Sequence, residues 1–262
     1  MPLWIDVICI GQENLEERNQ QVSIMVDIYS RAYIVSIWLG PGTPESNKVF
    51  KFVSRWQILL SFQRKLSSFG LGWFPWAIRY SMLFIMKCSG HLKTIARCCD
   101  KDIGRRSYWL RIWTLQEIAS AESERIVLYC GDSHPVIYPL FHEALGGITS
   151  EMFKIHTSAH LLGWTKKYTE SRESPLSTHA RLMIALTKSA TYPRDKIFAI
   201  RALFPDVLET IPVDYSVAVG DLYAMATKVI VEYNKSLEFL KHLDGNSAWT
   251  DGPSWAVDFS LP

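Results

Sequence analysis

A lone carboxylate inside an apolar run is the first group in this sequence that invites a chemical reading. Leu3-Trp4-Ile5-Asp6-Val7-Ile8-Cys9-Ile10 is apolar on both alternating faces except at Asp6, and a buried carboxylate is costly unless it is paired or hydrogen-bonded. Asp6 therefore either pairs with Arg18 or a helix N-terminus, or faces a ligand. Glu17 and Arg18 carry the same two readings: a capping residue with a surface pair, or part of a polar cluster where open α/β folds bind ligands. Cys9 reads as a small core residue in preference to a nucleophile, since the pattern sets no histidine beside it. His156 and His160 have the i, i+4 spacing of zinc ligands, but the Thr-Ser-Ala between them supplies no base and no third ligand is marked, so no metal is expected. GxxxxGK[ST], GxGxxG after the first strand, GxSxG and HExxH are all absent, which removes the familiar nucleotide, hydrolase and zincin readings.

These groups need elements to position them. The run at 3–10 predicts a strand covered on both faces of a parallel sheet. Asn14 predicts a helix N-cap, with Glu17 reaching back to a free amide, and Val22, Met25, Tyr29 and Ala32 recur at helical spacing to about Arg31. Ile34 to Leu39 predicts a second buried strand ended by Gly40-Pro41-Gly42, and strand, helix and strand together predict a right-handed crossover. A two-face-buried opening strand needs neighbours on both edges, which leads to the expectation that a leading segment is missing.

Further on, Ser107 predicts a helix whose apolar stripe runs through Trp109, Ile112, Trp113, Ile118 and Ala119, with Gln116 and Glu117 beside it. Residues 125–131 read as a third buried strand. Helices are then expected at about 138–147, 151–166, 177–190, 194–204 and 217–234, with a short strand at Leu237 to Leu240 and a tail that docks Trp255. Pro193-Arg194-Asp195-Lys196 reads as an architectural helix start, with proline at the first helical position.

The composition suits a folded chain with a substantial core: 48% of the 262 residues are hydrophobic and 21% charged, so disorder, collagen and coiled coil are excluded. Charge is polarised. Residues 51–111 carry twelve Lys or Arg against Asp100 and Asp102, a net +10 in a chain of net +2, which leaves the remainder at −8. Aromatic residues such as Phe52, Trp56, Trp73 and Trp76 are interleaved with those cations, a mixture that suits an anionic membrane surface; nucleic acid is not expected. The alternative is an insert whose rings pack inward while its cations stay solvated. The stretch Leu71 to Met86, broken by Pro75 and Arg79, is too short for a membrane span. Five cysteines without CxxC spacing, and no leader-like N-terminus, predict a reducing, cytoplasmic setting.

The run Trp4 to Gln12, with Glu17-Arg18, Gln21-Val22, Met25, Ile28-Tyr29, Ala32 and Ile37-Trp38-Leu39-Gly40-Pro41, resembles the fungal heterokaryon-incompatibility (HET) domain. The likeness continues in Tyr108-Trp109 and in Arg111-Ile112-Trp113-Thr114-Leu115-Gln116-Glu117-Ile118-Ala119. Beyond the domain, Pro193 to Ala199, Pro212-Val213-Asp214-Tyr215 and Pro253-Ser254-Trp255 resemble the segment that often follows it. Gly11 stands where the family usually has Asn, and the family's leading Ser-Tyr-x-Trp-Gly block is missing.

The resemblance implies an α/β fold, a partial TIR-like parallel sheet flanked by helices and followed by a mainly helical region. The domains would be 1–131, lacking the first block and carrying the basic insert at about 43–106, and 132–262. It implies a self/non-self recognition module that triggers cell death when it meets an incompatible protein partner, with self-association as a further expectation. By analogy with TIR domains that hydrolyse NAD, Glu117 would be the catalytic carboxylate and NAD the substrate, since breaking the nicotinamide–ribose bond builds positive charge on the sugar. The alternative for Glu117 is a structural helix residue paired with Arg111 or Arg125. Asp6, Cys9, Gln12, Glu17, Arg18, Trp113 and Gln116 would face the ligand.

Overall fold

The computed structural model describes residues 2–68, 90–145, 182–183, 185–242 and 252–260. In chain order the elements are α1 (Asp6–Cys9), α2 (Leu15–Arg31), β1 (Val35–Trp38), α3 (Pro44–Ser68), α4 (His91–Lys101), α5 (Ser107–Leu110) and α6 (Trp113–Ser120). They continue with β2 (Ile126–Tyr129), β3 (Val136–Ile137), α7 (Tyr138–Leu145), α8 (Asp195–Arg201), α9 (Pro205–Leu208) and α10 (Val219–Asn234). The chain divides into two compact units. One comprises Met1–Ala32, Arg111–Ala121 and Leu162–Pro262, the other Tyr33–Leu110 and Glu122–Leu161. The expected helices at 151–166 and through most of 177–190, the His156/His160 pair and the stretch Leu71 to Met86 lie outside the described residues.

The second unit holds the sheet, in the order β1-β2-β3. β1 and β2 are parallel, with Val35 opposite Ile126 and Trp38 opposite Tyr129, and β2 and β3 are antiparallel. Helix α3 packs against α4 and α7, placing Phe50 6.1 Å from Phe141, ring centre to ring centre. The fold class is thus α/β, a small mixed sheet flanked by helices. In the described part of the basic stretch, Phe52 and Trp56 are buried and stacked at 6.3 Å, while Lys51, Arg55, Lys93 and Arg97 are exposed. The Arg106 guanidinium donates to the carbonyls of Leu39 (3.1 Å) and Pro41 (2.8 Å), and its Nε lies 2.6 Å from Asp102, which ties down the turn after β1.

The first unit is helical. Helix α2 packs on α6, which also packs on α8, and Val22, Met25, Leu115, Ile118, Ile197 and Phe198 are among its buried side chains. Asn14 caps α2 as expected, its side chain accepting from Glu17 N at 3.2 Å.

Several expectations are corrected. Residues 3–10 do not form a buried strand. Leu3, Val7 and Ile8 are 77%, 69% and 74% exposed, and the backbone turns into α1 through Ile8 N and Cys9 N donating to Ile5 O and Ile10 N to Asp6 O. Asp6 starts this turn and accepts from Val7 N at 2.8 Å, the placement that favours an acidic side chain at a helix start. No strand pairs with the segment among the described residues, so its amides are satisfied locally. The strand–helix–strand crossover expected across 3–39 is therefore absent; the parallel pair is β1 with β2. Nor is β1 covered on both faces: Val35 and Ile37 are buried, whereas Ser36 is exposed and Trp38 57% exposed.

The helix expected from Ser107 is broken into α5 and α6, because Arg111 bridges Ser189 and Ile112 N donates to Ser189 O at 2.9 Å. Pro193 precedes α8 by a turn and does not occupy its first position. Leu237–His242 is a 3-10 helix where a strand was expected: Lys235 ends α10 in the left-handed region (φ 49°) and Ser236 Oγ accepts from Glu238 N, curling the chain. In the tail Trp255 is 46% exposed, and the docked ring is Phe259, 5.1 Å from Tyr223.

Candidate functional site

The side chains with chemical potential in the first unit converge on a cavity of about 180 Å³. Its apolar floor is Ile10, Val22 and Met25. Its polar wall is Asp6, Gln12, Arg18 and Arg111, closed by Trp113 on α6, the segment Ser189–Tyr192, Asp195 and Tyr215. The α1 turn brings Asp6 and Ile10 to the cavity with Gln12 just beyond them, and Arg18, Val22 and Met25, at i, i+4 and i+7, share one face of α2. Gln12 Nε2 donates to the carbonyls of Asp6 (3.3 Å) and Ile10 (3.4 Å), holding α1 against the rim.

Arg18 is the most enclosed cation of the wall, 9% exposed. Its guanidinium lies 3.8 Å from the Tyr215 ring centre and 4.4 Å from that of Tyr192, a cation–π sandwich, and 3.5 Å from Asp195 Oδ1. Asp195 is buried in the first turn of α8 and accepts from the Tyr215 hydroxyl at 2.5 Å. Burial pushes the Asp195 carboxyl above its ordinary pKa, against the opposing hydrogen bonds of Tyr215 and Trp113 and the charges of Arg18 and Arg111. Burial likewise pushes the Tyr215 phenol up, with the Asp195 charge adding to it. Asp6 pairs with Arg111 at 3.8 Å, both partly exposed; its expected partner Arg18 is engaged by Asp195.

Four of the eight residues expected at a ligand face, Asp6, Gln12, Arg18 and Trp113, line the cavity, and four do not. Glu17 ties the preceding turn, its Oε1 accepting from Gly11 N at 3.0 Å. Cys9 is an exposed free thiol that accepts from Ile5 N at 3.4 Å, and it is not a core residue because α1 turns it outward. Gln116 is buried on α6 and its Oε1 has no hydrogen-bond partner among the described residues. Glu117 is half-buried. Its charge, after burial and ahead of that of Asp6, raises the pKa of the Tyr29 phenol, which Arg111 lowers. Glu117 and Asp6 thus both act on Tyr29, whose ring meets Trp4 edge-on at 5.8 Å.

The residues that sequence reasoning missed are Arg111, Tyr192, Asp195 and Tyr215. Asp195 and Tyr215 lay in motifs assigned to architecture, and an acidic residue in a helix first turn gives no sign of what it faces. Among the described residues no three His, Cys, Asp or Glu side chains gather as metal donors, and no helix is long and apolar enough to cross a membrane.

Residues 1–117 match the family model described as Heterokaryon incompatibility protein (HET). Heterokaryon incompatibility protein 6, OR allele, of Neurospora crassa is 55% identical over 49 residues, which are 19% of this chain and 7% of that protein. The match thus spans a small part of the relative's length. No solved structure matches the chain.

Proposed function

Taking residues 1–117 as a heterokaryon incompatibility (HET) domain, we propose that the chain is a fungal recognition module that restricts the growth of cells joined to an incompatible partner, with cell death as its output. The observation that carries this reading is the composition of the cavity. The HET-matching stretch supplies Asp6, Gln12, Arg18, Arg111 and Trp113, and residues 189–215 supply the opposing wall. Recognition by the domain is then coupled to the segment that follows it: any partner or ligand that reorders Tyr192, Asp195 or Tyr215 acts on Arg18 and so on α2. The test is expression of the full chain from an inducible promoter in one of two fungal strains allowed to fuse. The proposal expects arrested or dying fusion compartments on induction; unimpaired growth of fused cells at confirmed protein levels counts against it.

A second reading is supported by the charges of Glu117 and Asp6, both of which act on Tyr29. A carboxylate can stabilise the cation that develops as a glycosidic bond breaks, so NAD hydrolysis with Glu117 as the catalytic carboxylate is the enzymatic form of the proposal. Incubation of the purified chain with NAD should release nicotinamide, and Glu117→Ala should abolish the release. No release, or equal release by the variant, removes this reading and leaves the recognition role standing.

A further inference from the structure

Of the two arginines of the cavity wall, Arg18 is buried and Arg111 stands half exposed at the rim, and neither is held closely by a carboxylate. The nearest carboxylate oxygens lie 3.5 Å from Arg18 and 3.8 Å from Arg111, beyond the roughly 2.7–2.9 Å of a charge-assisted hydrogen bond. Asp195 shares its carboxylate among several groups: its Oδ1 takes the Tyr215 hydroxyl, and the Trp113 side chain also hydrogen-bonds it. The rings of Tyr192 and Tyr215 attract the guanidinium through their faces, and the Tyr215 hydroxyl also interacts with it. Arg18 brings buried donors and Arg111 brings rim donors to the same cavity, where one acceptor group would serve both.

We propose that this cavity binds the oxyanion of a small organic acid, a carboxylate or a phosphate, in the fork of Arg18 and Arg111. Either group presents paired acceptor oxygens that match guanidinium geometry. The Ser189 and Thr191 positions on the wall add neutral hydroxyl donors, and Ile10, Val22 and Met25 provide a floor for an apolar body. A volume of about 180 Å³ admits a compact acid and excludes a polymer segment. The charges also permit an anion. Asp6 is exposed enough to swing into water, and the Asp195 charge is already offset by Arg18. This goes beyond the recognition role: it gives the HET region a small-molecule input on the surface it shares with residues 189–215.

The test uses the purified full chain, thermal melting and titration calorimetry at constant ionic strength, with inorganic phosphate and benzoate as separate probes. The expected result is saturable stabilisation by at least one probe. Saturation by phosphate alone assigns a phosphate ligand, by benzoate alone a carboxylate, and by both the shared oxyanion chemistry. Arg111→Gln should weaken binding by about tenfold or more, while Arg111→Lys keeps the charge, loses the fork and should recover part of it. Arg125→Gln, outside the cavity, should bind as the parent does. Absence of a saturable shift from either probe up to about 10 mM, or equal affinity in Arg111→Gln, overturns the proposal.

Discussion

Arg18 and Tyr215 are joined face to ring: the guanidinium on α2 stands 3.8 Å from the centre of a ring that follows it by 197 residues in the chain. Asp195 completes the group, accepting from Tyr215 and pairing with Arg18. Asn19 Oδ1 accepts from Tyr215 N at 3.0 Å beside it. This cluster is the clasp that holds residues 189–215 against α2.

Removing the cation from the clasp leaves Asp195 buried without its partner. Arg18→Ala should therefore lower unfolding free energy by about 3 kcal/mol, read from urea denaturation. The double variant Arg18→Ala with Asp195→Asn should be less destabilised than the sum of the two single changes, since it buries no lone charge. An additive result would mean that the pair does not interact.

Tyr215→Phe isolates the hydroxyl. It keeps the ring over Arg18 but takes away the 2.5 Å donor to Asp195, so stability should fall by about 1–2 kcal/mol and the Asp195 pKa should climb further. Loss of the whole ring, Tyr215→Ala, should cost distinctly more.

Two carboxylates give opposite pH dependences. Asp195 is raised above the ordinary 3.8 by burial, so the folded chain holds its proton more tightly than the unfolded chain does. Its contribution to stability is fully present below that ordinary value and is lost as pH rises through the higher folded value. Burial pushes Asp102 up as well, but hydrogen bonds from Arg106 and Thr43 and the Arg106 charge bring it below 3.8. Its contribution is present above 3.8 and lost as pH falls through the lowered folded value. Denaturation at a series of pH values should show the parent gaining on Asp195→Asn as pH falls toward about 4, whereas Asp102→Asn should lose least, relative to the parent, at the most acid end.

In the second unit, Gly131 has φ +50° and a Cβ there would lie 2.4 Å from Gly42 N. Gly131→Ala combines backbone strain with a collision against main chain and should cost at least about 2 kcal/mol. Gly90→Ala, at φ +71° with nothing within 4 Å of its Cβ, should cost only about 1 kcal/mol. Similar losses at the two sites would contradict the close approach of the Gly42 and Gly131 turns.

Local signals were legible where one element satisfied its own pattern. Asn14 and the Val22–Met25 stripe specified α2, and the apolar runs at 35–38 and 126–129 specified strands. The run at 3–10 misled because a short apolar stretch has no periodicity that separates strand from helix, and Asp6 acts as a first-turn residue instead of a buried exception. Trp113 and Arg18, both expected at a ligand face, line the cavity. Asp195 and Tyr215 were not, since a helix start and a Pro-Val-Asp-Tyr turn look the same whether they face solvent or a cavity. Trp255 and Phe259 show the same limit: both sit in one tail, and only packing against Tyr223 and Phe239 decides which ring is buried.

The most direct measurement is the fusion assay repeated with Gln12→Ala and Arg111→Gln together, two changes at the exposed rim that leave the Arg18 clasp in place. At matched protein levels and melting temperatures, the account predicts that the parent chain arrests fused cells and the double variant does not. Arrest of equal strength by both would contradict the claim that this cavity is where the chain recognises its trigger.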